Sequence, residues 1–158
     1  MNKMTRRDVV AAIGVAGTGV CVCGMNQGCA TFTKKGKTPA IAAEAYRIEV
    51  NTVRVALDKV PALAAVCGAV KVIDPRLPTS IIIARRTEDE YVAASLLCPH
   101  RGVEVEYQPE QHQFRCASLG HSKFGEDGTL KKGLAKKGLT RYEAKLDPAD
   151  CKRLLITF

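Results

Sequence analysis

From Tyr46 onward, apolar and polar residues alternate with a period of two, and this pattern restricts the fold more than any other feature. In YRIEVNTVRVAL, the side chains of Val53, Val55 and Leu57 fall on one face of an extended chain. Two β-branched runs, AVKVI and SIIIARR, follow and are bounded by turn residues. Alternation returns in VEVEY and HQFRC, on either side of the turn QPEQ. The pattern predicts an all-β domain of small antiparallel sheets over 46–158, with at most a short helix near 61–66.

The first thirty residues differ from this body. They begin with Lys3, Arg6 and Arg7 and continue with an uncharged apolar run from Val9 to Met25. A basic start followed by such a run is typical of an export signal or an N-terminal anchor, and TRRDVV resembles a twin-arginine signal. We therefore predict a twin-arginine-like export signal or membrane anchor over 1–30, cleaved or retained, and a linker over 31–45. The protein would then be exported, and either periplasmic or membrane-anchored facing the periplasm.

The net charge of +8 raises the question of an anionic partner. Lys and Arg are spread along the chain, with short clusters at 34–37 and 131–137 and no interleaved aromatic residues. A nucleic-acid-binding surface would gather these charges into one stripe. The charge therefore argues against nucleic acid and favours acidic proteins or an anionic membrane surface.

Two Cys/His pairs occur in one short segment, Cys98 with His100 and Cys116 with His121, although the chain has only three histidines. Two thiolates and two imidazoles can hold tetrahedral zinc or complete the shell of an iron–sulfur cluster. One Cys and one His in each half suits a two-iron centre, because each loop can then give one ligand to each metal. The third histidine, His112, falls in the predicted QPEQ hairpin and is interpreted as a surface turn residue.

The remaining cysteines are predicted to have no ligand role. Cys67 and Cys151 stand alone and are interpreted as small buried apolar residues. The other three lie in or just beyond the N-terminal apolar run: Cys21, Cys23 and Cys29.

The segment resembles the Rieske iron–sulfur proteins. CPHRG matches the family's Cys-x-His-x-Gly loop, and fifteen residues separate His100 from Cys116, in keeping with the family. The second loop, CASLGHS, resembles Cys-x-x-His-Gly-Ser but has four residues between Cys116 and His121 instead of two. Ser122 follows His121 as in the family, which favours His121 over His112. The similarity extends over 46–158.

The resemblance implies a Rieske-like domain with a two-loop cluster-binding subdomain and one 2Fe–2S cluster per chain. Cys98, His100, Cys116 and His121 would be the metal ligands, and Ser122 would donate a hydrogen bond to a cluster sulfur. No catalytic residue is predicted, and the glycine spacing predicts no phosphate site.

Three departures from the family pattern bear on the properties of the cluster. The loop disulfide of quinol-oxidising complexes is absent, since Val103 and Ala117 or Ser118 occupy its places. The family's proline-rich loop corresponds to GLAKKGL, 133–139, which has no proline. High-potential members have a Tyr where this chain has Phe124. The absence of the disulfide and of the tyrosine predicts a reduction potential in the lower half of the Rieske range.

The predicted function is one-electron transfer, as a carrier or as the small subunit of a quinol-linked respiratory complex or oxidase. The partners would be a cytochrome or a quinol-oxidising subunit, and quinol itself is a further candidate. Such a protein is an oxidoreductase component without a substrate site of its own. The alternatives are the Rieske ferredoxin of an oxygenase system, and a β domain that holds structural zinc or no metal and serves in binding.

Overall fold

The computed structural model describes residues 35–158, so the predicted export signal over 1–30 lies outside the described residues. The strands within this range are β1 (Tyr46–Glu49), β2 (Thr52–Ala56), β3 (Ala69–Val72), β4 (Ile81–Arg85), β5 (Tyr91–Ser95), β6 (Val105–Gln108), β7 (Gln113–Cys116), β8 (Lys123–Gly125), β9 (Leu130–Lys132), β10 (Arg141–Asp147) and β11 (Asp150–Thr157).

The helical segments of the described range are short 3-10 turns. One of them, Pro61–Leu63, falls in the stretch where a short helix was predicted. None of the described helices has the length and apolar character needed to cross a membrane. The others are Ala43–Ala45, Leu57–Lys59 and Pro109–Gln111.

The strands form two sheets. The larger sheet has the order β1-β2-β11-β10-β5-β4-β3, and the smaller has the order β6-β7-β8-β9. Every strand pair in both sheets is antiparallel. The predicted all-β class is confirmed.

Strand β4 shows how the two sheets are joined. Ile81 and Ile83 pack into one hydrophobic core, whereas Ile82 and Ala84, which point the opposite way, pack into a second core. Because successive side chains of a strand face opposite sides, a strand buried on both faces reads as an unbroken apolar run. This explains why SIIIARR shows no alternation. The second core lies between the two sheets and includes Cys98 and Cys116.

The first core carries the alternation seen in the sequence. Val53 and Val55 are fully buried in it, and Leu57 is partly buried at its edge, as the period-two pattern predicts. The connection from β5 to β6 then crosses from the larger sheet to the smaller. Along this crossing, the N–H of Leu96 bonds Ser80 and the N–H of Val105 bonds Leu96. The fold therefore places the first Cys/His pair on the crossover between the sheets.

Two of the isolated cysteines are not where the sequence predicted them. Cys67 and Cys151 are both exposed, so the interpretation of these residues as buried is wrong. Cys67 occupies a turn with φ +72° before β3, and Cys151 lies at the start of β11, where residues 151–153 are exposed. A tight turn and the exposed start of a strand hold small residues without burying them.

Candidate metal centre

The first loop, residues 96–103, closes through its own backbone. The N–H of Cys98 donates to the carbonyl of Val103 at 2.8 Å, and the N–H of Gly102 donates to the carbonyl of Cys98 at 2.8 Å. Gly102 has φ +66°, a left-handed conformation that glycine adopts without strain. The thiol of Cys98 faces inward, and the residue is 1% exposed. Within this loop, a single residue, Pro99, separates Cys98 from His100.

The second loop, residues 116–122, is closed by a bond across its base. The N–H of Cys116 donates to the carbonyl of Ser122 at 2.8 Å, and the N–H of His121 donates to that of Ser118 at 3.0 Å. The four residues between Cys116 and His121 form the turn that the second bond closes. At its end His121 has φ +40°, which is uncommon for a residue with a side chain.

The two thiols meet beneath these loops. Cys98 lies close enough to the thiol of Cys116, the hydroxyl of Ser122 and the backbone N–H of His100 for each of them to affect its pKa. Cys116 and Ser122 are both fully buried, and the Cys116 sulfur lies 3.2 Å from the hydroxyl of Ser118. Burial raises the pKa of the Cys98 thiol, and the N–H of His100 opposes this effect. None of the four cysteines that the structure describes is in a disulfide.

The histidines are arranged less regularly than the thiols. His100 is partly buried, and its Nδ1 is a buried atom with no hydrogen-bond partner within residues 35–158. His121 is exposed, and its Nδ1 lies 3.4 Å from the carbonyl oxygen of Cys116. His112 ends a 3-10 turn at φ +46°, with its side chain 60% exposed and Nδ1 3.3 Å from Glu126, as expected for a surface turn residue.

The four predicted ligands therefore do not form one closed shell. Within the described part of the chain, no three Cys, His, Asp or Glu side chains converge as they would around a single metal ion. The structure buries Cys98, Cys116 and Ser122 close together, leaves His100 with an unused nitrogen, and leaves His121 at the surface.

A third loop, residues 133–139, packs against the second. The N–H of Ala135 donates to the Oγ of Ser122 at 3.1 Å, and Ala135 and Leu139 are buried in the second core. Gly133 has φ +119°, and a Cβ there would lie 2.3 Å from the Cα of Ser122. The loop lacks the proline of the family, and close packing and this hydrogen bond hold it in place instead.

A buried ion pair beside the second loop was not predicted from the sequence. Lys71 Nζ lies 2.7 Å from Glu104 Oε2, and the two side chains are 9% and 11% exposed. The same carboxylate accepts the N–H of Gly36 at 2.6 Å, and the carbonyl of Glu104 accepts the N–H of Ala117 at 3.0 Å. Glu104 thus connects β3, the N-terminal segment and the second loop. The available signal was a lone Lys inside the apolar run AVKVI, which requires a partner when buried.

The described part of the predicted linker, 35–45, lies against the domain. The N–H of Lys37 donates to Glu106 Oε1 at 2.6 Å, and the N–H of Lys71 donates to the carbonyl of Pro39 at 2.8 Å. An isolated parallel bridge joins Ala40 to Lys71. These bonds place residues 35–45 beside the second loop, and Lys35 and Lys37 line a cleft together with His121.

The donor atoms can be compared with the needs of the 2Fe–2S group that the resemblance implies. Two adjacent free thiols are the donors that iron–sulfur clusters require, and imidazoles complete mixed-ligand centres. A buried polar atom without a hydrogen-bond partner lowers the stability of the fold by about 1–3 kcal/mol. The unpaired Nδ1 of His100 would gain a partner by binding a metal, so it is a nitrogen suited to that role. Cys98, Cys116, His100 and Ser122 therefore fit such a group. His121 is the fourth donor in the sequence but lies outside this buried set.

Comparisons with known proteins agree with this interpretation. The profile of the Rieske [2Fe-2S] domain family matches residues 59–143, more than half of the chain. No curated protein gives a significant match. The ferredoxin of carbazole 1,9a-dioxygenase from Nocardioides aromaticivorans IC177 is 18% identical, with 68% of this chain and 97% of that chain covered and a TM-score of 0.54. The cyanobacterial plasma membrane Rieske protein PetC3 from Synechocystis PCC 6803 is 20% identical, with 58% and 87% covered and a TM-score of 0.48.

The ferredoxin and the described domain share a fold. The family match covers β3 to β9, both Cys/His pairs and the third loop. Domains of this family bind a 2Fe–2S cluster and transfer electrons to redox partners. The chain belongs to the Rieske [2Fe-2S] domain family.

Proposed function

We propose that the protein is an exported one-electron carrier, acting alone or as the small iron–sulfur subunit of a quinol-linked respiratory complex or oxidase. The observation that best supports this is that the buried thiols of Cys98 and Cys116, which come from different loops, lie close together in one core. Two neighbouring thiols can bind the same iron, and the imidazoles of the same loops are then available to the other iron.

The proposed ligands divide into two pairs by their donor atoms. Cys98 and Cys116 are the sulfur ligands, and His100 and His121 are the nitrogen ligands. When bound, the 2Fe–2S cluster accepts and releases one electron, at a potential raised by its neutral imidazole ligands. Each ligating ring keeps a second nitrogen that can hold or release a proton at the protein surface.

Ser122 is held ready to donate a hydrogen bond to a sulfur. Its Oγ already accepts the N–H of Ala135, so the hydroxyl proton is free to point elsewhere. The closeness of Ser122 to the Cys98 thiol supports a hydrogen bond from this hydroxyl to a sulfur. A hydrogen bond from this hydroxyl stabilises the more negative, reduced state and so raises the potential.

The cluster itself is tested by spectroscopy of the purified full chain. We expect a brown protein with iron and sulfide in equal amounts and a rhombic electron paramagnetic resonance signal after reduction. A colourless protein that contains zinc would contradict the proposal and favour a structural metal site. A protein without any metal after reconstitution with iron and sulfide would favour a β domain used for binding.

The export step is tested separately in cells. Replacing Arg6→Lys and Arg7→Lys together removes the arginine pair that a twin-arginine signal requires and keeps the positive charge. We expect the variant to remain in the cytoplasm while the wild type reaches the periplasm or the membrane. Equal cytoplasmic localisation of both proteins would remove the export part of the proposal.

A second candidate is the ferredoxin of an oxygenase system, which also lacks the loop disulfide. Val103, Ala117 and Ser118 occupy the places of that bridge, and the described cysteines are free. A cytoplasmic protein that carries an intact cluster would favour this candidate. An exported protein with the same cluster would favour the respiratory role.

A further inference from the structure

The third loop and β9 carry a concentration of unpaired positive charge. From Gly128 to Tyr142 the sequence has no Asp or Glu. Four exposed lysines lie in this stretch, and none of them takes part in an ion pair within residues 35–158. These lysines are Lys131, Lys132, Lys136 and Lys137.

Positive charge also lies beside the second loop in a cleft of about 270 Å³. This cleft is lined by Lys35, Lys37 and Arg115 together with residues of the loop. The one carboxylate in the cleft, Glu106, accepts the N–H of Lys37. None of the three cationic side chains is ion-paired within the described residues. We call these three residues and the four lysines of the third loop and β9 the cationic rim.

Two leucines project from the second and third loops. Leu119 is 86% exposed and Leu134 is 62% exposed. The side chain of Leu134 lies over Gly120, where a Cβ would come within 2.7 Å of it, so the leucines come from adjacent turns. We call Leu119 and Leu134 the apolar crown. Exposed apolar groups surrounded by polar residues are a common sign of an interaction site.

We propose that the cationic rim and the apolar crown form a docking surface for an acidic redox partner protein. This rests on the proposed function, because the second loop carries two of the proposed cluster ligands. An apolar centre within a polar rim is the general arrangement of protein interfaces. Opposite charges on the partner accelerate association and orient it, so that its own redox group would approach the loops that hold the ligands.

A membrane is a weaker explanation of the same surface. The crown offers two leucines and no aromatic residue, whereas binding in the plane of a membrane relies on an extended apolar face that often includes Trp or Phe. The charge therefore favours an acidic protein as the partner.

Acidic polymers are suitable probes, because the partner is not identified. Binding of the full chain to fluorescein-labelled poly-L-glutamate at low salt would be measured by anisotropy for the wild type and for Lys136→Glu/Lys137→Glu. A matched control, Lys59→Glu/Lys152→Glu, makes the same charge change in a cleft of the larger sheet. We expect the rim variant to bind roughly tenfold more weakly, the control within about twofold of wild type, and binding to weaken as salt rises.

A second probe tests the crown. We expect a glutamate–tyrosine copolymer to bind more tightly than poly-L-glutamate and Leu119→Ser to lose this gain, because the crown offers apolar surface to the tyrosines. Equal weakening by the rim and control variants would overturn the proposal by showing a non-specific effect of charge. Preferential rim-dependent binding to phosphatidylserine vesicles, rather than to the copolymer, would overturn it in favour of a membrane.

The cluster signal separates failure of this proposal from failure of the proposed function. The rim and crown variants replace exposed side chains, so their electron paramagnetic resonance spectra should match the wild type. An intact signal with no rim-dependent binding would overturn the docking surface and leave electron transfer in place. Rim-dependent binding by a protein that cannot hold a cluster would overturn the proposed function and, with it, the redox character of the partner.

Discussion

The two loops that carry the Cys/His pairs are built in different ways, although each has the same two donor types. The first loop is closed by two backbone bonds between Cys98, Gly102 and Val103. The second loop also has internal bonds, but it depends on contacts from outside: Glu104 bonds Ala117 and the third loop bonds Ser122. A loop closed by local bonds keeps its geometry when its surroundings change. A loop fixed by distant residues takes its geometry from the fold.

The extra length of the second loop accounts for this difference. With one residue between the donors, Cys98 and His100 are held in one short turn. With four residues between them, Cys116 is fully buried and His121 is exposed at φ +40°. The extra residues form a turn that carries Leu119 outward, so the insertion creates an exposed surface as well as a longer connection.

The largest expected effect is the loss of iron binding when either thiol is replaced, and here the two loops should respond alike. We expect Cys98→Ala and Cys116→Ala each to abolish iron binding, because each removes one of two sulfur donors for the same metal. Cys67→Ala and Cys151→Ala change exposed cysteines and should retain the wild-type iron content. Iron and acid-labile sulfide analysis would measure this. Iron retained by Cys116→Ala would show that the second loop does not supply the sulfur.

A change at the buried ion pair of Lys71 and Glu104 should affect the two loops differently. Glu104→Gln leaves the Lys71 ammonium buried without its counter-charge, which should lower the free energy of unfolding by about 3–5 kcal/mol in urea. Arg153→Met breaks an exposed pair with Asp150 and should cost about 0.5 kcal/mol.

Hydrogen exchange would locate the effect of Glu104→Gln. The amide of Ala117, which bonds the backbone of Glu104, should exchange faster in the variant, while that of Gly102 should change little. Equal acceleration at both amides would show that the loops are not held independently.

Substitutions at two glycines provide a matched comparison with a smaller expected effect on stability. Gly133→Ala introduces a Cβ 2.3 Å from the Cα of Ser122 in a left-handed conformation, and should cost about 3 kcal/mol. Gly102→Ala in the first loop also has positive φ, but no atom lies within 4 Å of the new Cβ, so about 1 kcal/mol is expected. Thermal unfolding would measure both. A larger cost at Gly102 would contradict the account of a locally closed first loop.

The smallest expected effect is on the reduction potential. We expect a midpoint below about +75 mV, the centre of the roughly −150 to +300 mV range of Rieske centres, because the disulfide and the Tyr are absent. Phe124→Tyr should raise the midpoint by roughly 40 mV if the added hydroxyl supplies one hydrogen bond of about 1 kcal/mol. A redox titration monitored by visible absorption would test this, and a wild-type value near the top of the range would refute it.

The sequence was sufficient for those features that depend on local pattern. Alternation at Val53 and Val55 predicted their common buried face. The QPEQ segment predicted a turn that carries His112 to the surface.

The features that were missed depend on residues distant in the chain. Lys71 and Glu104 are 33 residues apart and meet only when the N-terminal segment and both sheets have assembled. Cys67 looked buried because its residue type usually is, but a turn at φ +72° holds it at the surface. The position of His121 depends on the path of a lengthened turn, which neither periodicity nor motif spacing determines.

The central claim is that both loops supply nitrogen as well as sulfur to one cluster, and the fourth ligand is its least constrained part. Pulsed electron paramagnetic resonance of the reduced full chain counts the histidine nitrogens coupled to the cluster. We predict two coupled nitrogens in the wild type and in His112→Ala. In His121→Ala we predict either one coupled nitrogen or loss of the cluster. Two coupled nitrogens retained in His121→Ala, or one lost in His112→Ala, would contradict the account.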